Sequence, residues 1–147
     1  MKYKSTILAA CFLVGGTAIS NAQDIYANDV PAAVKSSFQK AFPRATDVEW
    51  ELKGSNYEVE FDMRTTDYKA LYTPAGKTVF VEKDIPVRQL PAVVSKNVKA
   101  KYPQGRIDDA DQINTGGKIT YKIDIDGRPD VNAWYTADGK FIREVLD

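Results

Sequence analysis

The side chains able to do chemistry in this 147-residue chain are carboxylates, hydroxyls and lysines, because it has no His and a single Cys, Cys11. Histidine is the usual general base near neutral pH and the commonest metal ligand, so its absence removes most hydrolytic and zinc chemistry. Gly76-Lys77-Thr78 matches the end of a phosphate-binding loop, but the earlier glycine such a loop needs is replaced by Leu71, and strand periodicity follows. It reads as a hairpin turn. Ser37 and Lys40 have the Ser-x-x-Lys spacing that places an amine one helical turn from a nucleophilic hydroxyl, yet no companion motif occurs, and Lys40 reads as a solvated helix position.

Carboxylates cluster at Glu49 and Glu51, at Glu58, Glu60 and Asp62, at Asp108, Asp109 and Asp111, and at Asp124, Asp126 and Asp130. Neighbours on one strand face lie about 7 Å apart, within reach of paired-carboxylate hydrolysis. That chemistry needs one carboxyl sheltered with a raised pKa, and nothing in the pattern shelters any of them, so they read as a solvated face. Asp124-Ile125-Asp126-Gly127 has a superficial calcium-loop look, but Gly falls at loop position four and Tyr135 at twelve, where the calcium loop needs Gly at six and Glu at twelve. Capture of calcium or a small ligand by the acidic loops is kept as an alternative reading. No catalytic residue, metal ligand or cofactor is assigned.

The apolar residues offer a sharper functional expectation. If Ala70, Tyr72, Ala133 and Tyr135 face a core, strand alternation turns Leu71 and Trp134 to the other sheet face. Two readings are open there: packing between parts of the molecule, or the centre of a partner-binding surface, where Trp is a common anchor. Leu71 and Trp134 are the expected partner-binding residues. Trp50, with Val48 and Leu52, reads as core.

These residues need elements to hold them. Hydrophobic residues make up 44% and charged ones 27%, which suits a folded domain. The 20 basic and 20 acidic side chains cancel, giving no reason to expect nucleic acid as a partner. Residues 1–22 read as a signal peptide, with Lys2 and Lys4, an apolar run Ile7 to Val14, and a Ser20-Asn21-Ala22 cleavage site. Leu8-Ala9-Ala10-Cys11 also fits a lipobox, but only Ile7 to Ala10 would precede the cut, too short for an apolar region. An exported protein, periplasmic or secreted, is expected, with no membrane insertion of the mature chain.

An internal repeat organises the rest. Val30-Pro31-Ala32-Ala33-Val34 is matched by Leu90-Pro91-Ala92-Val93-Val94, Phe42-Pro43 by Tyr102-Pro103, and Ala70-Leu71-Tyr72-Thr73 by Ala133-Trp134-Tyr135-Thr136. Each copy opens with a helix: Asp29 can cap the first, and Val30, Val34, Phe38, Ala41 and Phe42 share a face, as do Leu90, Val94, Val98 and Tyr102. Each then changes to period two, with Tyr57, Val59, Phe61 and Met63, or Tyr121, Ile123 and Ile125, alternating with charges. The expectation is α+β: two tandem units, residues 23–86 and 87–147, each a helix packed on one face of a four-stranded antiparallel sheet. The units are expected to associate by aligning sheet edges across Ile85 to Gln89.

Tandem copies that open on a Leu/Val-Pro-x-x-Val helix, close it with aromatic-Pro and finish on a Tyr-Thr-x-x-Gly-Lys hairpin resemble the PepSY-like family of exported bacterial proteins. That resemblance covers residues 25 to 147 and implies a fold similar to the β-lactamase inhibitory protein. It also implies a non-catalytic module that binds a protein, an inhibitor or modulator acting through its open sheet surface.

Overall fold

The computed structural model describes residues 23–146; the expected signal peptide and Cys11 lie outside the described residues. The fold is α+β. Nine antiparallel strands follow one another in chain order across a single sheet. Strand β1 (Gln23–Ile25) is followed by helix α1 (Ala32–Ala41), then β2 (Thr46–Lys53), β3 (Asn56–Met63), β4 (Thr66–Tyr72) and β5 (Thr78–Asp84). Helix α2 (Ala92–Lys101) then leads into β6 (Arg106–Thr115), β7 (Lys118–Asp126), β8 (Val131–Thr136) and β9 (Phe141–Leu146).

The two units do align their sheet edges across the linker as expected, but the result is one nine-stranded sheet rather than two four-stranded ones. β5 pairs with β6 from Val81↔Asn114 to Asp84↔Asp111, and Ile85 N–H donates to the Ala110 carbonyl at 2.9 Å. β1 adds a further strand against β2. Joining the copies edge to edge satisfies backbone groups that two separate sheets would leave open.

The two helices start and stop by the same devices. Pro31 and Pro91 occupy the N-cap positions, with no side-chain cap; Asp29 lies one turn earlier in a 3-10 segment, so it does not cap α1 as its position suggested. Phe42 and Tyr102 N–H donate to the Phe38 and Val98 carbonyls at 2.8 Å, and the following prolines end the helices. Val30, Val34 and Phe38 are buried in α1's approach and body, as are Leu90, Val94 and Val98 in the second copy. Ala41, expected on the apolar stripe, is exposed.

Val34 and Phe38 share a buried cluster with Trp50, Val59, Phe61, Ala70 and Tyr72. It is aromatic: the Phe38 ring meets Trp50 edge-on at 5.4 Å and Phe61 at 4.9 Å. The equivalent cluster of Val94 and Val98 with Ala110, Tyr121, Ile123, Ala133 and Tyr135 is mainly aliphatic. Val48 does not join the core. Asp47 takes a positive φ of 50° inside a bulge between Thr46 and Glu49, and the extra residue leaves Val48 exposed while Trp50 stays inside.

The Gly76-Lys77-Thr78 segment is the hairpin between β4 and β5, with a Gly76 N–H to Thr73 carbonyl bond of 2.8 Å. Gly76 and its counterpart Gly139 have φ of 81° and 87° and lie against the helices: a Cβ on Gly76 would stand 2.5 Å from the Ala33 carbonyl oxygen, and one on Gly139 2.7 Å from Val93 Cγ2. Asn97 also donates to the Gly139 carbonyl at 2.8 Å. These glycines let each hairpin close on its helix.

Candidate binding face

Paired residues of an antiparallel ladder point to the same side. The ladders carry Val59↔Ala70↔Val81↔Asn114 and Ala110↔Ile123↔Ala133 to one side of the sheet, the side of both buried clusters. On the other side, one row of the first copy reads Glu51, Glu58, Leu71 and Phe80 across β2 to β5. Its counterpart across β6 to β9 is Asp111, Lys122, Trp134 and Arg143. The next row runs Glu49, Glu60, Lys69, Glu82 and Ile113, with Asp109, Asp124, Asn132 and Val145 as the second copy's counterpart of its first four.

Leu71 and Trp134 therefore lie where alternation puts them, opposite the two clusters, on β4 and β8. They are four strand steps apart, about 19 Å at the usual spacing, so they do not touch. Each is buried, Leu71 at 5% exposure and Trp134 at 8%. The Arg143 guanidinium lies 3.6 Å above the Trp134 ring.

The carboxylates are where sequence reasoning fails. Strand alternation made them a solvated face, yet Glu58 is 3% exposed, Glu82 7% and Lys122 3%. Lys69 lies 2.9 Å from Glu60 and 3.8 Å from Glu58, while Lys53 lies 2.6 Å from Glu51 and 3.6 Å from Glu58. Lys122 sits 3.5 Å from both Asp111 and Asp124. Burial pushes the Glu58 and Glu82 carboxyls up against the pull of these lysines, and Asp111, half-buried and facing Glu82, rises to about 7. Burial acts to lower Lys69, but Glu58 and Glu60 outweigh it and its pKa is raised. The one signal that could have found this network is the cross-strand pairing that sets Lys69 between Glu60 and Glu82, legible only once register is known.

Register sends 13 carboxylates and 6 basic side chains to this face, a formal −7; the other 7 acids and 12 bases of residues 23–147 give +5. The neutral sequence total thus conceals a polarised molecule.

The remaining motifs do not assemble into a site. Ser37 lies against the Gly76 hairpin, where a Cβ would stand 2.8 Å from its hydroxyl, whereas Lys40 is exposed at the end of α1. In the β7–β8 turn Asp130 accepts the Gly127 N–H at 2.8 Å and Asp126 binds Arg106. Among the described residues no three carboxylates converge as a metal ion would require. An open groove of about 380 Å³ runs along the β1–β2 edge, lined by Ile25, Tyr26, Val48 and Trp50 with Asp24 and Glu49. No helix among the described residues is long and apolar enough to cross a membrane.

Repeated helix-and-strand units merged into one antiparallel sheet define a tandem-repeat α+β protein of the β-lactamase-inhibitor-like class. The chain belongs to the family described as "Putative beta-lactamase-inhibitor-like, PepSY-like", which matches it twice, over residues 17–78 and 63–143. Solved structures agree on the fold. A Bacteroides eggerthii protein described among "putative periplasmic proteins" superposes with a TM-score of 0.74 at 19% identity, covering 80% of this chain and 88% of its own. A DUF2874 family protein of Bacteroides uniformis gives 0.72 at 20% identity, covering 79% and 88%. A BLIP-like protein of Bacteroides fragilis gives 0.67 at 17%, covering 79% and 86%. No curated protein matches the chain.

Proposed function

We propose that this protein is an exported, non-catalytic binding module that engages a protein partner through the sheet face opposite its helices, as an inhibitor or modulator of an envelope or secreted protein such as a peptidase or β-lactamase-like enzyme. The observation that carries this reading is the contrast between the two sheet faces of the repeats. Core positions stay apolar from copy to copy even where their bulk changes: Val34 and Val94, Val59 and Ile123, Ala70 and Ala133, Tyr72 and Tyr135, and also Phe38 and Val98, Trp50 and Ala110. Opposite them, Leu71 is matched by Trp134 and Glu58 by Lys122. Folding needs account for the first set. The second set is one continuous surface with a different chemistry at each end, which suits recognition of one asymmetric partner.

Family membership supports a binding role, and the description of the Bacteroides eggerthii protein supports a periplasmic one. The net negative face disfavours nucleic acid. Leu71 and Trp134 form apolar parts of the face and are its proposed anchors, with Arg143 presented over Trp134. Capture from envelope extract with the wild type, a Leu71→Ala/Trp134→Ala double variant and a Thr120→Arg variant tests the reading. Thr120 lies on the face between Ile113 and Thr136 and is partly exposed, so its bulkier replacement blocks docking without opening the core. Loss of the same partner with both variants supports the site; equal recovery by Thr120→Arg overturns it.

A further inference from the structure

Resting on that reading, the groove along the β1–β2 edge narrows the chemistry of the partner. It is open, holds about 380 Å³, and is lined by four carboxylates, Asp24, Glu49, Glu51 and Glu60, and by no basic side chain. Register sets Asp24 opposite Glu51 and Glu49 opposite Glu60, so two like-charged pairs stand at the β1 end of the proposed face. Like charges directly opposite each other on a ladder cost stability. Lys53 and Lys69, neither of which lines the groove, serve Glu51, Glu58 and Glu60 together, two cations for three carboxylates. The second copy repeats the four acids as Asp84, Asp109, Asp111 and Asp124, paired in the same way across β5, β6 and β7. There the chain places a lysine among them, Lys122, 3.5 Å from both Asp111 and Asp124; the matching position in the first copy is Glu58. The rest of the lining includes exposed apolar residues, Tyr26 at 82% and Val48 at 40%. Their counterparts are Pro86 and Asp108, so the repeat fold does not require them. An exposed aromatic ring in a carboxylate-lined groove fits a guanidinium, which stacks on the ring while its N–H groups donate to the acids.

We propose that this groove takes an arginine side chain from the basic surface of the docked protein partner, its guanidinium stacked on Tyr26 and turned to the carboxylates, its stem against Val48. Glu49, Glu51 and Glu60 belong to the rows of the proposed binding face, so the groove continues that face to its β1 edge. The formal −7 of the face supplies the long-range attraction for a basic partner. A bare divalent ion fits less well, because no three carboxylates converge among the described residues and Tyr26 and Val48 offer it no charge.

The test uses the purified protein and an acetylated Arg-Gly repeat octapeptide, with the citrulline-Gly peptide as its neutral isostere, titrated at low ionic strength. The expected result is saturable binding of the arginine peptide, weakened at least fivefold by Tyr26→Ala and by an Asp24→Asn/Glu49→Gln double variant, with no binding of the citrulline peptide. Tyr26→Phe, which keeps the ring, and Asp138→Asn on a distant hairpin should each change affinity less than twofold. Tyr26 is exposed, so an unchanged melting temperature for Tyr26→Ala shows that the fold is intact. Wild-type affinity in Tyr26→Ala, equal binding of both peptides, or no binding of the arginine peptide by the wild type would each overturn the proposal. A protein partner whose capture is lost with Thr120→Arg but kept with Tyr26→Ala would leave the binding face standing and remove the groove from it.

Discussion

Arg143 and Trp134 are direct cross-strand partners on β9 and β8, and the guanidinium lies 3.6 Å above the indole ring. That contact roofs a large aromatic on the sheet face away from the two buried clusters. A cation over an aromatic face contributes about 0.5–2 kcal/mol, depending on how far it is desolvated. Arg143→Ala should therefore cost roughly 1 kcal/mol and shift Trp134 emission to the red. The chain has two Trp residues, so a Trp50→Phe background isolates the signal. An unshifted spectrum would mean that Arg143 does not cover the ring.

The buried carboxyls set the pH dependence of stability. Asp111 has a folded pKa of about 7 against an ordinary 3.8, so the native state holds more protons than the unfolded chain between those values. Stability therefore falls as pH rises from about 4 to about 7 and levels off above. Glu58 and Glu82, raised by burial, act in the same direction, whereas Glu144 and Asp138, lowered by hydrogen bonds from Tyr102 and Thr136, act only at more acidic pH. The melting temperature should be higher at pH 5 than at pH 8 by several degrees. Asp111→Asn should flatten that slope by raising the pH 8 value, and a rising melting temperature from pH 5 to 8 in the wild type would contradict the burial of these groups.

Two glycines are required by contact as well as by φ. Gly54→Ala, at φ 63° with open space around it, should cost about 1 kcal/mol from backbone conformation alone. Gly76→Ala and Gly139→Ala add an overlap with α1 or α2 and should cost about 3 kcal/mol each by denaturant titration. Equal costs at all three sites would show that the hairpins do not close on the helices.

Continuity of the sheet through β5 and β6 predicts that the two repeats unfold together. Phe38→Ala, which removes the ring at the centre of the aromatic cluster, should cost about 3–5 kcal/mol and move the whole transition. Far-UV circular dichroism and Trp fluorescence should report one midpoint. Two separated midpoints would show that the seam does not couple the copies.

Much of the fold can be read from spacing. The helix stripe Val34 and Phe38, its repeat Val94 and Val98, and the alternating Tyr57 to Met63 all depend on local periodicity, and they form as that periodicity requires. Trp50 is buried as its pattern implied, but its neighbour Val48 is not, because the bulge at Asp47 shifts phase and leaves no mark in hydropathy. Alignment of the copies' sheet edges was expected from the short linker, but the β5–β6 register that makes one sheet of them is encoded by no local pattern. The burial of Glu58, Glu82 and Lys122 was illegible for the same reason: each alternates like a solvated residue, and only neighbours brought from other strands enclose it. Leu71 and Trp134 were placed on the correct face by alternation alone, while the 19 Å or so between them follows from strand order.

The binding face can be tested most directly with a photo-crosslinking residue placed at Thr120 on that face, and in a second protein at Ser36 on the exposed side of α1, each irradiated in envelope extract. The same protein adduct should form from Thr120, weaken with added salt and be absent from Ser36. An adduct formed from Ser36 and not from Thr120 would place recognition on the helices and contradict the proposed function.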